Sequence, residues 1–174
     1  MDLHLDLYKS LMGEDFPMGI FVLTDGGCKG NNLPATRKAE RKMYGSFVVI
    51  HNRKVVASTY MLNTALVHRE NDLPDPDLVA SSPVAECMMT VTAMEYVNQV
   101  MDRKRERGDK MPLPEITILQ DNEMAVGFAS GAKQPDSKNG AMVMRHKAIT
   151  IHPMRKHLKF KWVHNQWVKA VLGH

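Results

Sequence analysis

Apolar runs separated by short polar segments divide the first third of the chain into candidate strands. Residues 19–24 form a near-continuous apolar run, and residues 44–51 and 55–62 are rich in β-branched and aromatic side chains. Only residues 52–54 separate the last two runs, which is typical of a β-hairpin. We therefore predict that the first three strands form an antiparallel meander.

The rest of the chain alternates helical and strand patterns. A long helical stretch at residues 84–107 follows Ser82 and Pro83, which suit a helix N-cap and a first helical position. Near-continuous apolar runs are typical of buried parallel strands, so this half predicts an α/β arrangement. The pattern predicts strands at residues 115–120 and 158–163, and helices at residues 122–130, 141–149 and 165–172.

Length and local composition indicate one domain with two additions. A chain of 174 residues fits one domain with a sizeable core. Residues 1–18 alternate acids with leucines before the first strand, so we expect an N-terminal arm or short helix there and the domain at residues 19–174. Residues 63–82 contain prolines and acids with little periodicity, which predicts a loop insertion.

Three acids occupy positions that favour a metal-dependent active site. Asp25 and Asp121 each end a short apolar run, and open α/β sheets build their sites beyond the carboxyl ends of their strands. Glu86 recurs in phase with Met89 and Ala93, so it lies on the packed face of the long helix, where a carboxylate is unfavourable unless it binds something. Each acid alone is more often a turn or helix-start residue, and only the ordered set predicts function.

The charge distribution favours a phosphate-rich partner. The net charge is +4, the pI is about 9.1, and basic residues concentrate between positions 133 and 161. Such a segment suits nucleic acid, although a merely solvated surface is the alternative for any one charge run. The residues are Lys133, Lys138, Arg145, His146, Lys147, Arg155, Lys156, His157, Lys159 and Lys161.

Cysteine usage and hydropathy indicate an intracellular protein. Cys28 and Cys87 are the only cysteines, and their spacing does not suggest a zinc site, so reduced thiols are the simplest account. The N-terminus is acidic, and no apolar run approaches the length of a membrane span. We expect a soluble protein that is cytoplasmic or nucleoid-associated, not secreted, and without a membrane partner.

The sequence around the three acids resembles a known family. In order, the segments are Thr24-Asp25-Gly26-Gly27-Cys28-Lys29-Gly30-Asn31, then Ala85-Glu86-Cys87-Met88, then Gln120-Asp121-Asn122, then Trp162-Val163-His164-Asn165. This series resembles the type 1 ribonuclease H family, whose pattern runs Thr-Asp-Gly-Ser-Cys-x-Gly-Asn, Glu-Leu, Thr-Asp-Ser and Trp-Val. The resemblance covers about residues 19–172.

The resemblance implies a fold and an activity. The fold is α/β, a ribonuclease H-like five-stranded mixed sheet with strands 1–3 antiparallel and strands 1, 4 and 5 parallel, flanked by helices. The activity is an endonuclease that uses Mg²⁺ or Mn²⁺ to hydrolyse the RNA strand of RNA–DNA hybrids. Two ions roughly 4 Å apart serve this chemistry. Asp25 would bridge the ions, and Glu86 and Asp121 would complete the site.

Several neighbours of the acids match family positions that bind nucleic acid. Cys28, Gly30 and Asn31 match residues that contact the minor groove, where RNA displays its 2′-hydroxyls. Cys28 is equally interpretable as a small buried filler. Gly26 and Gly27 suit either a close backbone approach or a tight turn.

Of three further residues near the acids, two have both a functional and a structural interpretation, and the third has a structural one. Asn122 stands where the family has Ser, and it also suits the N-cap of the following helix. His164 follows the last strand and is either a catalytic residue, as metal ligand or proton shuttle, or structural. Trp162 alternates with Leu158 and Phe160, which predicts a core position.

One position departs from the family pattern. In the register that aligns Asn165, Val168 and Val171, Lys169 stands where the family carries a fourth acid. This predicts a weak or manganese-dependent enzyme. The alternatives are a catalytically inactive nucleic-acid-binding domain of the same fold and a DNA-cleaving relative such as a junction resolvase.

Overall fold

The computed structural model describes residues 9–10, 13–29, 42–62, 81–108, 114–138, 140–166 and 168. Most of the predicted N-terminal arm and of the predicted insertion lies outside these residues. Gly30, Asn31 and Lys169, for which the resemblance implies roles or a departure, also lie outside them.

Five strands form one mixed sheet. They are β1 (Ile20–Lys29), β2 (Lys42–His51), β3 (Lys54–Leu62), β4 (Ile116–Gln120) and β5 (Leu158–Trp162), in the spatial order β3-β2-β1-β4-β5. The meander β1-β2-β3 is antiparallel, whereas β4 pairs parallel with both β1 and β5. This confirms the predicted topology.

Three helices of eight residues or more accompany the sheet in the described part of the chain: α1 (Ser82–Glu106), α2 (Glu123–Ser130) and α3 (Gly140–Thr150). Residues 9–10 are helical as well, and so are residues 165, 166 and 168 at the start of the predicted last helix. A 3-10 turn at Arg155–His157, which the sequence pattern did not predict, leads directly into β5. Within the described residues, no helix is both long and apolar enough to cross a bilayer.

The turn of the β2–β3 hairpin forms hydrogen bonds with residues 16–19, which precede the first strand. Asn52 and Arg53 have φ of 49° and 67°, the left-handed conformation that two-residue hairpins of matching twist require. The backbone N–H of Gly19 donates to Asn52 Oδ1 at 3.0 Å, and Arg53 Nε donates to the Phe16 carbonyl at 2.6 Å. The hairpin thereby holds Phe16 against the sheet.

Hydrophobic residues fill both faces of the sheet, because side chains alternate along each strand. Val22 points to the larger core beneath the helices, and its neighbour Leu23 points to a smaller one. The smaller core comprises Phe16, Leu23, Val48, Ile50, Leu119 and Val168.

The predicted core position of Trp162 is wrong. β5 is an edge strand, in which Leu158 is buried and Phe160 is half-buried, but Trp162 at the strand's end is 41% exposed. The alternation that predicted three core residues therefore fails at the last of them.

Helix α1 starts one residue earlier than predicted. The N-cap is Ser81, whose Oγ accepts a hydrogen bond from the Val84 N–H at 3.3 Å, and not Ser82. Either serine can cap a helix with Pro83 in its first turn, because the first backbone N–H groups lack intrahelical partners. As a consequence Glu86 lies in the second turn, inside the continuously buried stretch 84–94.

Candidate metal centre

Asp25 and Asp121 lie where two neighbouring strands separate. The parallel pairing of β1 with β4 ends at Leu23 and Leu119. Asp25 lies two residues after Leu23, still within β1, and Asp121 lies two residues after Leu119, just beyond the end of β4. β1 continues to Lys29, with Asp25 opposite Ser46 of β2. The prediction that Asp25 ends its strand is thus wrong, because pairing with β2 extends β1 beyond the end of β4.

Helix α1 brings Glu86 to the same place by packing closely on Gly26. A Cβ at Gly26 would lie 2.7 Å from both Ala85 C and Glu86 N, so only glycine fits. The Gly26 N–H donates to Glu86 Oε2 at 3.1 Å. Gly26 and Gly27 both lie within β1, so close approach and not a tight turn accounts for them.

The predicted triad of carboxylates is brought together. One oxygen each of Asp25, Glu86 and Asp121 lies within 4.8 Å of the others. Glu86 is only 7% exposed, and the two aspartates are half-buried. Three separate elements therefore deliver three acids to one small volume that opens to solvent on the aspartate side.

Electrostatics make this cluster unfavourable when all three groups are ionised. Burial, followed by the charges of Asp121 and Asp25, raises the pKa of Glu86 to about 9, against a lowering by the Gly26 hydrogen bond. The cluster therefore retains a proton that a divalent cation would replace. Carboxylate oxygens are the ligands that Mg²⁺ and Mn²⁺ prefer, so the residues present fit either ion.

The adjacent thiol does not belong to such a donor set. Burial, followed by the charge of Glu86, raises the pKa of Cys87 to about 12. Cys87 packs in the larger core as a neutral side chain.

Two buried polar residues that contact Glu86, Gln120 and Thr90, were not identified from the sequence as parts of the site. Gln120, 1% exposed, donates from Nε2 to the Glu86 carbonyl at 2.8 Å and to Glu86 Oε2 at 3.2 Å. Its Oε1 accepts from Thr90 Oγ1 at 3.0 Å. The available signal was a pair of polar residues in otherwise apolar surroundings, one ending the run Ile116–Gln120 and one on the buried face of α1.

The predicted nucleic-acid contacts Cys28 and Asn122 have local structural partners. Asn122 is the N-cap of α2, with Oδ1 accepting from the Ala125 N–H at 2.9 Å, as the capping alternative anticipated. Cys28 is half-buried against the larger core, and its Sγ donates to the Lys29 carbonyl at 3.7 Å. Their contacts with nucleic acid stay predictions.

His164 is exposed and does not join the carboxylate cluster. Its Nδ1 accepts from the Gln166 N–H at 3.1 Å, and its ring meets that of Trp162 edge-to-face at 6.0 Å. Trp162 in turn donates its indole N–H to the Asp121 carbonyl at 2.9 Å. Trp162 thus holds the backbone of Asp121 in place. The catalytic role of His164 stays a prediction.

Most of the basic segment lies at the surface, but Arg145 is buried and His146 and Arg155 are half-buried. Arg145 is 1% exposed on α3, and burial lowers its pKa, so its assignment to a phosphate-binding surface is wrong. Lys133 and Lys159 form surface ion pairs with Glu123 and Glu115 at 3.8 and 2.9 Å. Lys138, Lys147, Lys156 and Lys161 are exposed.

Comparisons with known proteins identify the fold. No protein-family model and no curated protein sequence matches the chain. A ribonuclease H1 isolated from compost by a metagenomic approach, LC11-RNase H1, is 15% identical, with a TM-score of 0.60 over 90% of this chain and 92% of that one. The same enzyme has also been solved in complex with an RNA/DNA hybrid, with a TM-score of 0.53 at 15% identity over 88% of this chain and 91% of that one.

A third structure agrees. The N-terminal ribonuclease H domain of a Mycobacterium tuberculosis protein is 16% identical, with a TM-score of 0.54 over 89% of this chain and 91% of that chain. The chain therefore has the ribonuclease H fold, and its three clustered acids occupy one site on that fold.

Proposed function

We propose that the protein is a divalent-metal-dependent endonuclease that hydrolyses the RNA strand of RNA–DNA hybrids. The observation that carries this proposal is the convergence of Asp25, Glu86 and Asp121 within 4.8 Å. The fold supports it, since a ribonuclease H1 of similar structure has been solved with an RNA/DNA hybrid.

In this proposal Asp25, Glu86 and Asp121 would hold Mg²⁺ or Mn²⁺. Bound ions would activate a water and neutralise charge on the phosphate oxygens. The Gly26 N–H keeps Glu86 oriented, and the Trp162 indole keeps the Asp121 backbone in place. The site is thereby preorganised before substrate binds.

His164 is the proposed proton donor. Because its Nδ1 accepts from the Gln166 N–H, the neutral imidazole carries its proton on Nε2. We assign Nε2 of the imidazolium the delivery of a proton to the leaving oxygen: the ring takes up a proton from solvent at Nδ1, which then no longer accepts from the Gln166 N–H, and loss of the Nε2 proton returns the ring to the neutral form. The exposure of His164 leaves Nε2 accessible to a bound strand.

Substrate recognition divides between the groove and the backbone of the hybrid. The motif positions Gly26, Gly27, Cys28, Gly30, Asn31 and Asn122 are proposed to face the minor groove, where 2′-hydroxyls distinguish RNA. The exposed Lys138, Lys147, Lys156 and Lys161 are proposed to contact phosphates.

The test is a substrate panel. Purified protein is incubated with end-labelled RNA–DNA hybrid, double-stranded RNA and double-stranded DNA, each in Mg²⁺, Mn²⁺ or EDTA, with Asp25→Asn as the control. We expect only the RNA strand of the hybrid to be cut, and only with metal. Cutting of DNA would favour the resolvase alternative, and hybrid binding without cutting in either metal would favour the catalytically inactive nucleic-acid-binding alternative.

A further inference from the structure

We propose that Gln120 is a positioning residue for the metal centre. Its amide, oriented by Thr90, holds the Glu86 carboxylate where it can share a divalent cation with the two aspartates. The inference rests on the proposed function, because it takes the three acids to be the metal-binding group.

Gln120 reaches Glu86 from the strand that leads to Asp121. It is the last residue of β4, and its side chain is 1% exposed. Its Nε2 lies 2.8 Å from the Glu86 carbonyl oxygen and 3.2 Å from Glu86 Oε2. One amide group therefore contacts both the helix backbone and the carboxylate of the same acid.

The surrounding groups determine which way the amide points. A backbone carbonyl can only accept, so the Gln120 atom 2.8 Å from the Glu86 carbonyl must be the nitrogen. Its second N–H is then directed at the carboxylate. The Gln120 oxygen faces the Thr90 hydroxyl at 3.0 Å, which donates to it. The reversed amide would place an oxygen against two acceptors.

Two donors from two strands converge on one carboxylate oxygen. Glu86 Oε2 accepts from the backbone N–H of Gly26 in β1 at 3.1 Å and from Gln120 in β4 at 3.2 Å. These strands also lead to Asp25 and Asp121. The pair of bonds thus fixes the position of Glu86 relative to both aspartates, and outer hydrogen bonds of this kind tune the affinity of metal ligands.

The first variant removes the donor and keeps the shape. Gln120→Met has similar length but no N–H, and the Thr90 hydroxyl can turn to the Glu86 carbonyl, 3.1 Å away. We expect Mn²⁺ binding, measured by isothermal titration calorimetry on the full chain, to weaken about 10- to 100-fold.

The second pair of variants tests orientation and controls for packing. Thr90→Val removes the hydroxyl that orients the amide, whereas Thr90→Ser retains it. Thr92→Val is the matched control, because Thr92 is also buried on α1 and its hydroxyl donates to the Met88 carbonyl at 2.9 Å, within its own helix and not to Gln120. We expect Thr90→Val to weaken Mn²⁺ binding roughly 2- to 10-fold, and Thr90→Ser and Thr92→Val to leave it unchanged.

The outcomes separate this inference from the proposed function. If wild-type protein binds Mn²⁺ and Asp25→Asn does not, but Gln120→Met and Thr90→Val bind like wild type, the positioning role is overturned and the metal centre stands. If wild-type protein binds no Mn²⁺, both fail. Should Gln120→Met not fold, the contrast between Thr90→Val and Thr92→Val decides: equal affinities overturn the inference.

Discussion

The two ends of helix α1 have opposite surroundings. Near its start, residues 84–94 are buried without interruption, and an acid, Glu86, lies among them. At its end, residues 102–107 are all exposed and all charged. Over about 25 Å of helix axis, from Glu86 to Arg103, the same element passes from the interior to solvent.

The difference shows what burial requires of a charged side chain. The exposed Asp102 needs only solvent and a weak ion pair with Arg105 at 3.3 Å. Glu86 has two N–H donors and still holds a proton, because its pKa is raised to about 9. A buried acid with a raised pKa near one end of a helix is therefore a candidate functional residue.

The largest expected difference between the two ends of α1 is in the stability lost when a neighbouring glycine is replaced by alanine. Gly26→Ala places a methyl against the Ala85–Glu86 backbone, so we expect a loss of about 3 kcal/mol, or roughly 6–12 °C in Tm, together with lost activity. Gly108→Ala, after the last turn, has open space but φ of 79°, and should cost roughly 1–2 kcal/mol with activity intact. Thermal melts and hybrid cleavage measure both, and activity surviving in Gly26→Ala would contradict the close-packing account.

The next difference concerns the acids themselves. The pKa of Glu86 is raised, so the metal-free fold loses stability as pH rises from about 4.5 towards 9, and Glu86→Gln removes that loss. In EDTA the variant should melt at least about 4 °C above wild type at pH 8 and near wild type at pH 4.5. Glu106→Gln, in the exposed last turn, should leave Tm unchanged at both values. If Glu86→Gln changed Tm equally at both pH values, the electrostatic cause would be contradicted.

A charge reversal at Lys169 tests the fourth acid that the family pattern carries and this sequence lacks. From the sequence register we predict that Lys169 weakens the second ion, so Lys169→Asp should raise the initial rate in Mg²⁺ by roughly fivefold or more. Lys147→Asp makes the same charge change on an exposed part of α3 and should not raise it. Strong Mg²⁺-dependent activity of wild type that Lys169→Asp leaves unchanged, with His164→Ala as the damaging variant, would refute this register.

The smallest expected effect concerns phosphate contacts. Lys161→Gln should reduce the slope of log affinity against log salt by about 1, because one fewer counterion is released when hybrid binds. Arg103→Gln removes the same charge at the exposed end of α1, far from the carboxylates, and should leave the slope unchanged. Fluorescence anisotropy of labelled hybrid in EDTA measures both, and a flat salt dependence of wild type would exclude phosphate-dominated binding.

Much of the fold could be predicted because its signals are periodic and local. The β-branched runs on either side of Asn52 and Arg53 predicted the hairpin, and the apolar phase of α1 placed Glu86 on its packed face. The ordering of the acids along the chain then predicted that Asp25, Glu86 and Asp121 would meet.

What could not be predicted depends on contacts between distant segments. β1 extends through Gly26 and Gly27 because β2 pairs with it, although glycines locally suggest a turn. Gln120 and Thr90 are individually ordinary, and only the packing of α1 on β4 brings them 3.0 Å apart. The 3-10 turn at Arg155–His157 is too short to produce a period.

The most direct test of the central claim is the rate at which Asp25→Asn cleaves the RNA strand of a hybrid in Mg²⁺ or Mn²⁺, relative to wild type. The substitution is nearly isosteric and relieves repulsion in the cluster, so the variant should fold and melt at or above the wild-type temperature in EDTA. We expect the rate of the variant to be at least about a thousandfold lower than that of wild type. A folded Asp25→Asn that cleaves within about tenfold of wild type in the same metal would contradict the carboxylate cluster as the catalytic centre.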